Sequence, residues 1–224
     1  MSRLILIEGL FGSGKSTTTR WLEQQLRSAG RACTAYEEFD LPHPVPVDPD
    51  EIEAMICGAD PLGEAERAWS SLDPSPGVRI LESRVWQYSA MFPMLADIDE
   101  SRIRTMLGRL YQDLVPFDPV LVFFDHTDPA QAMKRTLAQP GRQEWLQWVS
   151  AMAERLPWLR SRGLTGPEGW LCFCEAWAMT MRTLVDDVPF PVCKLVDAHG
   201  DWPGSLAAIL DASLASSPGS ADRS

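Results

Sequence analysis

An α/β fold, with a mostly parallel five-stranded sheet covered by helices on both faces, is predicted by three observations. Short apolar runs alternate with segments of helical apolar spacing along residues 1–214, the pattern of strands joined by crossover helices. Two runs, Leu4-Ile5-Leu6-Ile7 and Val120-Leu121-Val122-Phe123-Phe124, are apolar throughout instead of alternating, as strands buried on both faces are. Between the first run and the first helical segment lies Gly9-Leu10-Phe11-Gly12-Ser13-Gly14-Lys15-Ser16, a glycine-rich turn.

The elements follow in order. Arg3 to Glu8 is the first strand, and Ser16 to Ser28 the first helix, stopped by Gly30. Ala32 to Glu37 is a second strand ending in Glu37-Glu38-Phe39-Asp40. Pro42, Pro44, Pro46 and Pro49 then impose a loop, because proline lacks the donor that regular structure needs. Pro49 to Gly58 and Leu62 to Leu72 read as short helices, and Asp73 to Gly77 as a turn before the third strand, Val78 to Glu82. Helical spacing returns over Val85 to Leu95 and Glu100 to Leu114. The fourth strand, Val120 to Phe124, is the most apolar and is placed near the sheet centre. Asp128 caps a helix that runs from Pro129 to Leu137. Gln143 to Leu156 and Glu168 to Val185 are helical around a Gly- and Pro-containing linker. Val192 to Val196 is the last strand and Gly204 to Leu214 the last helix. One domain is expected over 1–214, with a helical lid over about 134–165 and a disordered tail of Ser, Gly, Pro and charge over 215–224.

The 224 residues, 45% of them hydrophobic and nine of them tryptophan, suffice for one sizeable core. A net charge of −11 argues against a nucleic acid polymer as partner, since the chain as a whole repels phosphate backbones. Five scattered cysteines with no C-x-x-C pair point to reduced thiols and a cytoplasmic location, and neither they nor the three histidines show metal-ligand spacing. The chain enters a strand within three residues, so no signal peptide is expected. No apolar run approaches the roughly 20 residues of a membrane span, so no membrane partner is expected; a homodimer is compatible with the sequence.

The turn has the pattern G-x-x-x-x-G-K-[ST] in a strand, loop, helix context, which defines a nucleoside triphosphate site and a P-loop NTPase fold. Gly9, Gly12 and Gly14 let backbone N–H groups wrap phosphate oxygens. The helix N-terminus that follows favours an anion. Lys15 brings a mobile charge to the outer phosphates, Ser16 a hydroxyl for Mg²⁺, and Ser13 and Thr17 complete the cradle for ATP. The alternative is a glycine-rich turn that binds nothing.

In parallel sheets ligands gather beyond the carboxyl ends of the strands. Gly9 to Ser16, Glu37 to Asp40, Glu82 to Arg84, Asp125 to Asp128 and Asp197 to Trp202 are therefore expected to form one site.

The loop GLFGSGKST, the acidic residue closing the second strand, Leu81-Glu82-Ser83-Arg84, and Phe123-Phe124-Asp125 followed by Asp128-Pro129 together resemble the P-loop kinases of nucleosides and nucleoside monophosphates, such as thymidylate and deoxynucleoside kinases. Two departures fall on the acceptor side. Those families carry Glu-Arg-Ser or Asp-Arg-Tyr where this chain has Glu82-Ser83-Arg84, and Glu-Pro where it has Glu37-Glu38.

The resemblance implies roles. Glu37 or Glu38, with Asp40 in reserve, is the carboxylate that takes the acceptor's proton; neighbours on a strand point oppositely, so only one of the two faces the site. Glu82 holds Mg²⁺ through a water and Arg84 clamps the acceptor or the phosphoryl group, while Asp125 is a second metal candidate. Lys134, Arg135 and Arg142 belong to a lid whose cations close over the phosphates. Trp86, Phe39 and Tyr88 are candidates to stack on a planar acceptor. Each has a plainer reading: a solvated acidic loop for the glutamates, an ion pair for Glu82 and Arg84, a helix-entry residue for Asp125, a solvated helix face for the lid cations, core packing for the aromatic rings. The function expected is transfer of the terminal phosphoryl of ATP, through Mg²⁺, to a nucleoside, nucleotide or related small hydroxyl compound. The alternatives are an antibiotic or natural-product phosphotransferase and a nucleotide-hydrolysing regulatory protein.

Overall fold

Five parallel strands in the order β2-β3-β1-β4-β5 form the sheet of the computed structural model, which describes residues 2–215. The expected tail lies, from Ser216 onward, outside the described residues. The strands are β1 (Ser2–Gly9), β2 (Cys33–Tyr36), β3 (Gly77–Glu82), β4 (Pro119–Asp125) and β5 (Val192–Val196). β1 is central, in register with β3 (Ile5 opposite Ile80) and with β4 (Ile5 opposite Val120). Leu4 to Ile7 and Val120 to Phe124 are buried almost completely, which is why neither run alternates.

The helices are α1 (Lys15–Ser28), α2 (Ile52–Ile56), α3 (Pro61–Trp69), α4 (Phe92–Leu95), α5 (Glu100–Leu114), α6 (Pro129–Leu137), α7 (Arg142–Ala153), α8 (Pro157–Ser161), α9 (Gly166–Leu184) and α10 (Trp202–Leu214). One sheet face packs Ile5, Ile7, Val120, Val122 and Phe124 against α1 and α10 through Leu22, Leu26 and Ile209. The other packs Leu4, Leu6, Leu121 and Phe123 in a larger core with α3, α5 and α9. Aspartate side chains cap α3, α5, α6 and α10: Asp60, Asp99, Asp128 and Asp201 each accept a backbone N–H of the first turn. This is the capping expected at Asp128. No helix among the described residues is long and apolar enough to cross a membrane, and all five cysteines are free thiols.

Two elements that border the site differ from expectation. The segment expected as one helix from Val85 to Leu95 begins as a π-helical turn over Gln87–Met91 before α4. Such turns widen the helix locally and recur at functional sites; here Glu8 accepts the N–H groups of Trp86 and Gln87 at 3.0 and 3.4 Å. The second strand ends at Tyr36, one residue before Glu37, so the acidic pair sits in a turn whose first N–H, that of Glu37, donates to Asp40 Oδ2 at 2.7 Å.

Candidate active site

The loop after β1 takes positive φ at Gly9, Gly12 and Gly14 (153°, 75° and 98°). A Cβ at Gly12 would lie 1.7 Å from Thr136 Oγ1, and one at Gly14 2.5 Å from the Trp202 ring, so α6 and α10 both press on the loop. Thr136 Oγ1 also donates to the Phe11 carbonyl at 3.1 Å. Trp145 and Trp170 pack on the Phe11 ring at 5.4 and 6.0 Å. Rings of His126, His199 and Trp202 stack beside the loop at 5.9 and 5.5 Å, and His199 Nε2 is 3.4 Å from the Gly12 carbonyl. The helix that follows, α1, starts on Gly14 with no side-chain cap and no acidic residue in its first turn. Its leading N–H groups and dipole therefore favour an anion.

Lys15 is 5% exposed, and its Nζ donates to the carbonyls of Gly9 and Leu10, both at 2.9 Å. The Ser16 hydroxyl donates to Glu82 Oε1 at 2.8 Å, which joins the loop to the end of β3. Glu82 Oε2 and the Ser13 hydroxyl are buried with no hydrogen-bond partner among the described residues. Burial raises the Glu82 pKa, with Lys15 and Ser16 opposing the shift.

β3 hands over to the next segment through Ser83, whose φ of 58° is left-handed, a conformation that costs a non-glycine residue roughly 1 kcal/mol or more. Its N–H donates to the Ile7 carbonyl at 2.9 Å. Glu82 and Arg84 are both buried on either side of this turn. The Arg84 guanidinium, 3% exposed, donates from Nε to His43 Nε2 at 3.1 Å and from its terminal nitrogen to the Glu38 carbonyl. Burial and the Arg84 charge push His43 down to about 4, so the imidazole is neutral at physiological pH. Among the described residues no carboxylate pairs with Arg84.

Of the two expected bases, the structure turns one inward. Glu38 accepts from Gln87 Nε2 and lies in the fields of Lys15, Glu82 and Arg84; desolvation, reinforced by Glu82, raises its pKa above 4.5. Glu37, in contrast, faces α1 and forms a two-bond ion pair with Arg20, which corrects its expected place beside the acceptor. Asp125 is likewise corrected as a metal candidate. Arg182 Nε takes one of its oxygens at 2.7 Å and Lys194 Nζ the other at 3.0 Å, so both oxygens are held in ion pairs. Trp86 is fully buried, donating to the Tyr111 hydroxyl at 2.7 Å and packing edge-on to Phe123, so it is core and cannot stack on an acceptor. Arg135 and Arg142 are solvent-exposed, Arg135 within the field of His126 and Asp197 and Arg142 5.8 Å from the Trp145 ring.

Sequence reasoning missed Glu8, Gln87, His43 and Arg182. Glu8 carried a legible signal, an acidic residue closing an otherwise apolar buried strand. It is 1% exposed, and burial pushes its pKa up to about 7 against the N–H bonds and the Lys15 charge. The folded chain thus keeps a proton on Glu8 between pH 4.5 and 7, where the unfolded chain has lost it. Stability contributed by the protonated group falls as pH rises through that window, by on the order of 3 kcal/mol. Glu8→Gln, which cannot ionise, is expected to gain stability relative to the parent between pH 4.5 and pH 8 in urea melts. A difference independent of pH would contradict this.

The parallel order β2-β3-β1-β4-β5, with the glycine-rich loop leading from the central strand into an uncapped α1, defines a P-loop NTPase fold. No family model matches the sequence, and no curated protein matches it. Among solved structures the chain is similar to a gluconokinase from Sinorhizobium meliloti 1021, with 12% identity and a TM-score of 0.38 over 95% of this chain and 94% of that one.

Proposed function

We propose that the protein is a small-molecule kinase that transfers the terminal phosphoryl group of ATP to a hydroxyl group. The observation that carries this reading is Arg84, a buried guanidinium with no carboxylate pair among the described residues, held by His43 and the Glu38 carbonyl and lying two residues beyond Glu82, which the Ser16 hydroxyl of the loop contacts. Buried charges are ordinarily paired, and an anion arriving from the loop side would complete this one. A planar fork suits a phosphoryl group.

Mg²⁺ fits the residues present. Ser16 and Glu82 offer hard oxygen donors, and Glu82 Oε2 is buried with no partner among the described residues. When bound, the ion would neutralise charge on the outer phosphates of ATP. The loop N–H groups and Lys15 orient the triphosphate. Glu38 takes the proton of the acceptor hydroxyl as the oxygen–phosphorus bond forms and the bond to ADP breaks, and Arg84 steadies the phosphoryl oxygens in transit. Arg135 and Arg142 stand ready to close over the phosphates and exclude water. The motifs shared with nucleoside and nucleoside monophosphate kinases lie on the triphosphate side and support ATP as donor, the departures at Glu37-Glu38 and Glu82-Ser83-Arg84 favour a related hydroxyl compound over an ordinary nucleoside or nucleotide as acceptor, and the free thiols support a cytoplasmic setting.

ADP formation is expected to depend on an added acceptor; equal phosphate release from ATP alone would favour a hydrolysing switch instead. Glu82→Gln is expected to lower turnover about 10²-fold or more while changing the affinity for a non-hydrolysable ATP analogue far less. Calorimetry beside turnover distinguishes this from a structural role, which would lower both equally.

A further inference from the structure

Next to the acceptor side lies a cleft of 610 Å³, walled by the proline-rich segment, the turn into α2, α3 and Tyr88. That volume suits a compound of one or two small rings. Asp48, Glu51, Asp60 and Glu64 line it, with Arg67 as the single cation. Arg67 is bound to Glu64 at 2.7 Å and lies 3.6 Å from Asp60, which leaves Asp48 and Glu51 without a counter-charge among the described residues.

Tyr88 points to a ligand independently of this charge. It is 6% exposed, it lines the cleft, and its hydroxyl has no hydrogen-bond partner among the described residues. The ring is held edge-on by Phe92 at 5.5 Å. Burial holds the phenol above its ordinary pKa; Arg84 pulls it down, while Glu64 and Glu51 push it further up. The neighbouring residue, Gln87, holds Glu38, and the cleft wall at Pro46 to Asp48 continues from His43, which holds Arg84.

On the kinase reading above, we propose that this cleft receives the acceptor and that the acceptor is a small hydroxyl compound bearing protonated amines, such as an amino sugar or aminocyclitol. The amines pair with Glu51 and Asp48, a hydroxyl bonds Tyr88, and the reacting hydroxyl reaches Glu38, which takes its proton. A nucleotide acceptor would be repelled by the same wall, and a neutral one would gain nothing from it. A metal ion is a poorer occupant, since no group of three or more His, Cys, Asp or Glu side chains among the described residues is arranged to hold one.

The test uses the full chain with ATP and Mg²⁺, and with 2-deoxystreptamine, its N-acetylated form, glucosamine, N-acetylglucosamine and thymidine as probes. Transfer is followed by ADP formation, and probe binding by calorimetry with a non-hydrolysable ATP analogue. The amines are expected to be preferred, with KM at least tenfold below their acetylated forms and rising with salt. Glu51→Gln is expected to raise KM for 2-deoxystreptamine about fivefold. Arg67→Gln, which removes the counter-charge, is expected to lower it, a direction that loss of folding does not produce. Transfer to thymidine or N-acetylglucosamine as efficient as to the amines, or an amine KM indifferent to both substitutions, would overturn the cleft assignment and leave the kinase reading standing. Amine binding that is lost in Glu51→Gln, with no transfer to any probe, would retain the cleft and count against the kinase reading.

Discussion

Lys15→Ala is expected to lower acceptor-dependent ADP formation by about 10³-fold or more. Phosphoryl transfer is catalysed by positioned charge, and the removal of one preorganised donor from such a site costs about 10²- to 10³-fold even when that donor is neutral. Lys15 also donates to the Gly9 and Leu10 carbonyls. The alanine variant leaves both acceptors in a buried loop, at a cost of about 1–3 kcal/mol each where water does not replace the bond. A thermal melt beside the kinetic assay therefore belongs to the experiment. A modest drop in melting temperature with near-complete loss of turnover is the expected pair of results, and near-normal turnover would remove the basis for the kinase reading.

Glu38→Gln is expected to reduce turnover by about 10²- to 10⁴-fold, the usual worth of general base catalysis. Glu37→Gln, which breaks only a surface ion pair with Arg20, is expected to leave turnover near the parent's. The pH dependence has a definite sign. A base works ionised, and burial raises Glu38 above 4.5, so kcat/KM is expected to climb with pH along a limb displaced upward from the ordinary carboxylate range. That limb is expected to vanish in Glu38→Gln. Equal rates for the parent and Glu38→Gln with the true acceptor would place the base elsewhere, or mean that the acceptor is an already ionised phosphate.

The α/β layering, the order of strands and helices, and the phosphate loop were legible in the sequence because each depends on neighbours in the chain. A buried parallel strand announces itself by an unbroken apolar run. The loop from Gly9 to Ser16 is a contiguous backbone device whose glycines and lysine must follow at fixed spacing. The same holds for Asp128, which caps the helix that follows it by accepting the N–H three residues ahead.

The proposed acceptor side rests on tertiary structure, because its groups meet from distant segments. Glu37 and Glu38 are adjacent and chemically alike, and the choice between them turned on where β2 stops and on Arg20 of α1 reaching back to one of them. Asp125 was removed from the metal candidates by Arg182 and Lys194, which come from α9 and β5 and leave no mark on the sequence around it. Trp86 became core because Tyr111 of α5 supplied a partner for its indole N–H. The cleft beside Tyr88 exists only where the proline-rich segment folds back against α3. Local spacing encodes a binding loop because one stretch of backbone makes it, whereas the charge and shape that select an acceptor arise from side chains that only packing brings together.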